Sequence, residues 1–264
     1  MATRHSSRAP SEAPFFVHRH TFMITSPQNE KLKLVRKLAD SKHREREGLF
    51  ATEGEDLIAA GLRAGRSPDF VLVTPGAGID GDEVEAELLN GVSTLGSGTR
   101  AIAVWSREWA EKASAPCVYL HGVGDPANVG AIIRSADALA GGSVVLGSGC
   151  ADPHSPKAVR ASMGSVFGVE ILRGAVESTP EPRLALVAHG APGVEPAGVA
   201  TLCVGSEREG LPAGVLDACA THWTIPLREG GAESLNLAAA AAIALQRISS
   251  AAAQENPLRG AAEH

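Results

Sequence analysis

Two neighbouring stretches near the C-terminus decide how this chain reads: LCVGSEREGLP (residues 202–212) and TIPLREGGAESLNLAAAAAIAL (residues 224–245). The first is a short apolar run, expected as a strand, that stops at Gly205-Ser206-Glu207. The second is another strand ending at Ile225-Pro226-Leu227, then a glycine-bearing loop, then an alanine-rich helix expected to open at Ser234. Two strand ends and one helix start would converge there. Glycine at a strand end lets backbone approach a ligand closely, and a helix start presents unpaired N–H groups. The pattern describes a ligand site built mostly of backbone.

Working outward, residues 117–147 read as strand, helix, strand: CVYL, then GVGDPANVGAIIRSADALAGG after His121, then SVVLG. That unit builds parallel sheets. Further short strands are expected at 166–172, 184–188, 201–204 and 222–225, with a helix at 156–163. Continuous apolar runs suit strands covered by helices on both faces. Upstream, one helix is expected from Ser26 to about Ser41, followed by strands at 48–53, 69–74 and 101–105 with helices at 54–65 and 82–89. The chain therefore divides into a tail (1–23), a small α/β domain (24–108), a linker (109–115), a larger α/β domain (116–256) and a second tail (257–264).

At 264 residues and 44% hydrophobic content the chain can bury two ordinary cores. No apolar run approaches the roughly 20 residues needed to cross a bilayer, and the polar N-terminus lacks the apolar segment of a secretory signal. The four cysteines, Cys117, Cys150, Cys203 and Cys219, are widely spaced with no metal-ligand spacing. They read as reduced residues of a cytoplasmic protein that holds no metal. A net charge of −6 does not announce a nucleic-acid partner, yet phosphate contacts need only a local basic face. Lys31, Lys33, Arg36, Lys37, Lys42 and Arg44 supply one, with Leu32, Val35 and Leu38 at helical spacing behind them. A solvated helix face is the alternative.

Gly122, Gly124 and Ala127 match the dinucleotide fingerprint G-x-G-x-x-A. The acidic residue that should end the following strand is absent, because that strand ends Gly147-Ser148-Gly149. No nucleophile elbow and no H-E-x-x-H stretch supports a hydrolase or zinc protease. Arg134, beside Ile132 and Ile133, either snorkels along an apolar face or clamps an oxyanion or phosphate.

Taken together, DPANVGAIIR (125–134), SPKAVRASMGS (155–165), VGSEREGL (204–211), IPL (225–227) and SLNL (234–237) resemble, in order and spacing, the motifs of the SpoU (TrmH) family of AdoMet-dependent RNA ribose 2′-O-methyltransferases within the SPOUT superfamily. The segment from Ile24 through the basic helix to Gly54 is similar to the L30-like substrate-binding domain that often precedes them. The resemblance implies a trefoil-knotted catalytic domain with a parallel sheet between helices, a homodimer, and RNA as partner, rRNA in the first place. It implies that S-adenosylmethionine lies against Val204, Gly205, Ile225, Leu227 and Leu235, with Ala188 and His189 at an edge. Arg134 would be the central catalytic residue. Asn128 and Asn236 would orient it and the ribose, Glu207 would anchor the loops or pair with Arg134, and Ser234 would cap the last helix while touching the substrate, a cap alone being the alternative. tRNA as substrate, or an RNA-binding module without turnover, are the rival readings. Two departures stand out: residues 173–183 carry two prolines and are short for the helix expected there, and the loop 228–233 is about one residue longer than the family's usual one.

Overall fold

The computed structural model describes residues 23–189 and 198–255. Apart from Met23, the two expected tails lie outside them. The N-terminal half begins with α1 (Glu30–Lys37) and α2 (Ser41–Glu47), where the sequence suggested one helix. The break is local chemistry: the Asp40 side chain accepts the Lys42 N–H and starts a new helix, while Gly48 in the left-handed region ends it. There follow β1 (Leu49–Glu53), α3 (Glu55–Arg63), β2 (Phe70–Val73), β3 (Asp82–Glu83), α4 (Ala86–Asn90) and β4 (Ala101–Ser106). The strands form a sheet in the order β1-β4-β2-β3. The helix expected from Asp82 therefore starts only at Ala86, because residues 82–83 pair with β2 as an added edge strand.

The C-terminal half comprises β5 (Cys117–Leu120), α5 (Pro126–Leu139), β6 (Ser143–Leu146), α6 (Pro156–Ser162), β7 (Glu170–Arg173), β8 (Arg183–Leu186), β9 (Thr201–Val204), α7 (Ala213–Asp217), β10 (Thr221–Trp223) and α8 (Leu237–Glu255). Six parallel strands run in the order β10-β8-β9-β5-β6-β7. A 3-10 turn, Ser165–Phe167, replaces the front of the strand expected at 166–172, since Gly164 bends the chain with positive φ.

One face of this sheet packs Val118, Leu120, Val144, Leu202 and Val204 against α5 and α8. Helix α5 is well started: Asp125 accepts the Ala127 N–H, and Pro126 sits where its missing donor costs nothing. Gly130 lets α5 and α6 touch, because a Cβ there would collide with the Ala158 carbonyl. Ala241 and Ala244 of α8 are fully buried, and Ser249 Oγ donates to the Leu139 carbonyl of α5 at 2.6 Å, so the alanines serve close approach within the chain.

The two halves share a core. Phe50, Ile58 and Trp105 of the first sit in one apolar cluster with Phe167 and Val166 of the second. Beside it, the Asp152 carboxylate receives Arg44 Nε at 2.8 Å and Arg107 Nη2 at 3.1 Å, all three groups nearly buried. Burial alone would raise the Asp152 carboxyl, but hydrogen bonds from the His154 backbone N–H and from Arg44, with the charge of Arg107, hold it well below the usual carboxylate range. Arg44 also donates to the Leu38 and Ala39 carbonyls. The expectation that Arg44 faces RNA is thus wrong: its guanidinium is only 3% exposed and locks the two halves together. Residues 109–115 do not hang free either, for Ala110 N–H donates to the Ile171 carbonyl and Ser114 N–H to Ser143 Oγ.

Candidate active site

In an open parallel sheet, ligands bind outside the carboxyl ends of the strands where the strand order reverses. Here β5 is followed by β6 on one side, while β9 lies on the other, so the crevice opens beyond Leu120 and Val204. Three of the motif segments meet there. Asn128, in the first turn of α5, donates through Nδ2 to Glu207 Oε1 in the turn after β9. Asn236 donates through Nδ2 to Asn128 Oδ1 at 3.3 Å. The same Asn236 caps α8, its Oδ1 accepting from Ala238 N–H at 3.0 Å and Ala239 N–H at 3.2 Å. The structure joins Asn128, Glu207 and Asn236, residues far apart in sequence, into one hydrogen-bonded chain.

Two expectations need correcting. Ser234 does not cap α8, which begins at Leu237 because Asn236 takes that part; Ser234 is exposed in the preceding loop. Glu207 bonds Asn128 and not Arg134. Arg134 is exposed on α5, six residues or about 9 Å along the axis from Asn128, and its side chain makes no hydrogen bond or ion pair with any described residue.

The positions read as a cofactor slot follow the ends of three adjacent strands, β10, β8 and β9. Val204 ends β9 and is buried, and Gly205 comes directly after it. A Cβ on Gly205 would run into the Gly210 carbonyl and the Leu211 nitrogen, because Ser206 and Gly210 close a tight turn through paired backbone hydrogen bonds of 3.1 Å. Ala188 and His189 lie exposed just past β8. Ile225 is half-buried after β10, whereas Leu227 and Leu235 leave 40% and 41% of their surface exposed. Exposed leucines beside open strand ends and a glycine-tight loop fit a planar, largely apolar ligand that is held by backbone groups.

The basic face is narrower than the sequence suggested. Arg36, Lys37 and Lys42 are exposed on α1 and α2. Lys31 pairs with Asp82 and lies over the Phe70 ring, and Lys33 pairs with Glu30 at 2.9 Å. Sequence reading missed two groups. Lys157 Nζ donates to the Asp125 cap at 2.7 Å, where its hydrogen bond lowers the carboxyl pKa. A cavity of about 700 Å³ lies outside the ends of β5, β6 and β7 and is lined in part by Tyr119 and His121; the glycines at 147 and 149 were its one visible sign.

The SpoU rRNA methylase family model matches residues 115–246, and the MRM3-like substrate binding domain model matches residues 29–113. The 23S rRNA (guanosine(2553)-2′-O)-methyltransferase RlmP of Bacillus subtilis is 30% identical over 249 residues, covering 85% of this chain and 98% of that protein. Among solved structures, an AdoMet-bound rRNA methyltransferase from Sinorhizobium meliloti superposes with a TM-score of 0.73 at 26% identity, covering 85% of this chain and 96% of that one. An RNA 2′-O ribose methyltransferase gives 0.71 at 28% identity, covering 87% and 99%. With a catalytic half matched by its model and a relative aligned along nearly its whole length, the chain belongs to the SpoU rRNA methylase family.

Proposed function

We propose that this protein transfers a methyl group from S-adenosylmethionine to a ribose 2′-hydroxyl of 23S rRNA. The observation that carries the reading is the Asn236–Asn128–Glu207 chain at the reversal point of the parallel sheet, next to a backbone-lined slot. Support for the substrate comes from the similarity to RlmP across both halves. Val204, Gly205, Ile225, Leu227 and Leu235 would hold the cofactor, with Ala188 and His189 at its edge. The backbone there threads the family's knot. When bound, that cofactor supplies an electrophilic methyl on a sulfonium.

The chain's own residues then have two tasks, alignment of the 2′-oxygen and stabilisation of its developing negative charge. Glu207 fixes the Asn128 side chain, and Asn236 is fixed in turn by the first turn of α8, so the two amides stand preorganised against the ribose. Arg134 acts as a cation that clamps the target phosphate and the nascent alkoxide. A guanidinium stays protonated at neutral pH, so the hydroxyl proton leaves to a phosphate oxygen or to water. As the oxygen–carbon bond forms, the sulfur–carbon bond breaks.

Arg134 is exposed and makes no side-chain hydrogen bond or ion pair with the Asn128 chain of its own protomer, which supports a homodimer in which a second copy provides it. Arg36, Lys37 and Lys42 meet the RNA phosphates. Among the described residues no helix is long and apolar enough to cross a membrane; action on ribosomal RNA would place the protein in the cytoplasm.

Transfer of labelled methyl to rRNA tests the activity, and Arg134→Ala should abolish it while leaving cofactor binding intact. Mixing Arg134→Ala with Asn128→Ala protomers, each inactive alone, should restore about a quarter of wild-type activity if the site is shared across a two-fold interface. No recovery would place Arg134 in its own protomer's site.

A further inference from the structure

The connection from β7 to β8 is unusual for a parallel sheet. β7 lies at one edge and β8 four positions away, so the chain must cross roughly 19 Å of sheet. Crossovers of this kind are usually helical. Here residues 174–182 cross as an extended strap with a single 3-10 turn, Val176–Ser178, pinned by buried Val176 and Thr179. The short α7 covers part of what remains. Between the strap, the Gly147–Gly149 loop and the start of α7 the structure leaves the cavity of about 700 Å³, with Tyr119 in its floor. That is within the range of small-molecule sites.

Its position is informative on two sides. Inward, it shares a wall with the active site: a Cβ on Gly149 would stand 3.2 Å from the Gly122 Cα, and one on Gly122 would stand 3.3 Å from the Ser206 Cβ, the residue before Glu207. Outward, Arg173 stands in the rim, stacked 4.9 Å over the Trp109 ring and 4.0 Å from Glu45 of α2, the helix that carries Lys42 and Arg46. The rim at Arg173 thus lies against the helix that carries part of the basic face. The lining offers a flat imidazole at His121, whose Nδ1 lies 3.2 Å from the Tyr119 hydroxyl, together with the Ser148 hydroxyl, the Glu177 carboxylate and apolar Val215. An aromatic face with donors and acceptors around it is how proteins hold an unstacked base.

We propose that this cavity receives a nucleobase of the RNA substrate neighbouring the methylated nucleotide, and so helps select the site of modification. The proposal rests on the RNA methyl-transfer reading. Ala175, exposed on the strap and lining the cavity, can be enlarged without touching the active site or cofactor slot. In the full-length protein, Ala175→Phe should raise KM for a 23S rRNA fragment about tenfold, the scale of one lost base contact, with kcat and S-adenosylmethionine affinity within about twofold of wild type. Glu177→Ala should do the same more weakly, or shift the mapped site of methylation, without filling space. RNA carrying 5-iodouridine beside the target should cross-link to the peptide containing His121 in wild type and not in Ala175→Phe. Unchanged KM and an unchanged cross-link, in a folded variant of an active enzyme, would overturn the inference and leave the activity standing. Loss of cofactor affinity would overturn it in favour of a cofactor pocket. Inhibition by a free nucleoside monophosphate, relieved by Ala175→Phe and not competitive with RNA, would overturn it in favour of a soluble ligand. If wild type methylates no RNA at all, the functional reading fails on its own, and the cross-link still decides whether a base enters.

Discussion

Replacing Asp152 by alanine removes the one carboxylate that two nearly buried guanidiniums share. Arg44 and Arg107 are 3% and 5% exposed at the side chain, and Asp152 is 13% exposed. Arg44 would keep its bonds to the Leu38 and Ala39 carbonyls, while Arg107 would keep His154 Nδ1, which accepts from its Nε at 3.3 Å. Neither neighbour carries a compensating charge. That acceptor bond requires a bare Nδ1, and burial, which lowers the His154 pKa, favours the neutral ring. Breaking a buried pair from one side typically costs about 3–5 kcal/mol. For a chain of this size each kcal/mol lowers Tm by about 2–4 °C, so the expected fall is roughly 6–20 °C. Calorimetric unfolding at pH 7 measures it, with Arg46→Ala, itself 56% exposed and paired with Glu47 at the surface, as a control expected to lose no more than about 1 kcal/mol. The pH dependence adds a second readout. Because the folded-state pKa of Asp152 is depressed, its contribution is complete above the unfolded value near 3.9 and is lost as pH falls towards the lower folded value. The gap between wild type and variant should therefore be full at pH 7 and begin to close below about pH 4. A loss under about 1 kcal/mol, or a gap that stays constant through that acid range, would refute the account of the seam as an ion-paired lock.

Gly205→Ala should abolish S-adenosylmethionine binding in calorimetry, since its methyl must displace the backbone of Gly210 and Leu211, and no side chain can yield instead. Asn236→Ala should lower stability by about 1 kcal/mol through the lost cap and reduce kcat far more than cofactor affinity, because the same side chain holds Asn128; equal losses in both would mean the amide is only a cap. Lys42→Glu with Arg36→Glu should raise KM for RNA and flatten its salt dependence while kcat holds, and a salt slope equal to that of wild type would remove α1 and α2 from the RNA face.

The β-α-β units of the catalytic half were legible because their strands are continuous apolar runs with glycine at the carboxyl ends, a signal that survives without neighbours. The site residues were legible only as a set. Asn128, Glu207 and Asn236 each look ordinary, and it was their order along the chain that marked them, while their hydrogen bonds depend on strand order, which no local pattern encodes. Ser234 was misread for a related reason: both Ser234 and Asn236 are good caps, and which one starts the helix is settled by where Asn128 lies.

Arg44 shows most clearly what charge patterning cannot deliver. In sequence it is one of several cations on polar helical stretches. Its fate was decided 108 positions away by Asp152, in a loop whose own reading gave no reason to expect a buried carboxylate. The same contact explains why the expected linker is no hinge. A boundary that carries Phe50 and Trp105 into the other half's core and pairs two guanidiniums with one carboxylate must hold the basic face at a fixed distance from the strand ends. If RNA is gripped at Lys42 as proposed, it meets the active site at a set separation, and the seam becomes the ruler between the grip and the place of modification.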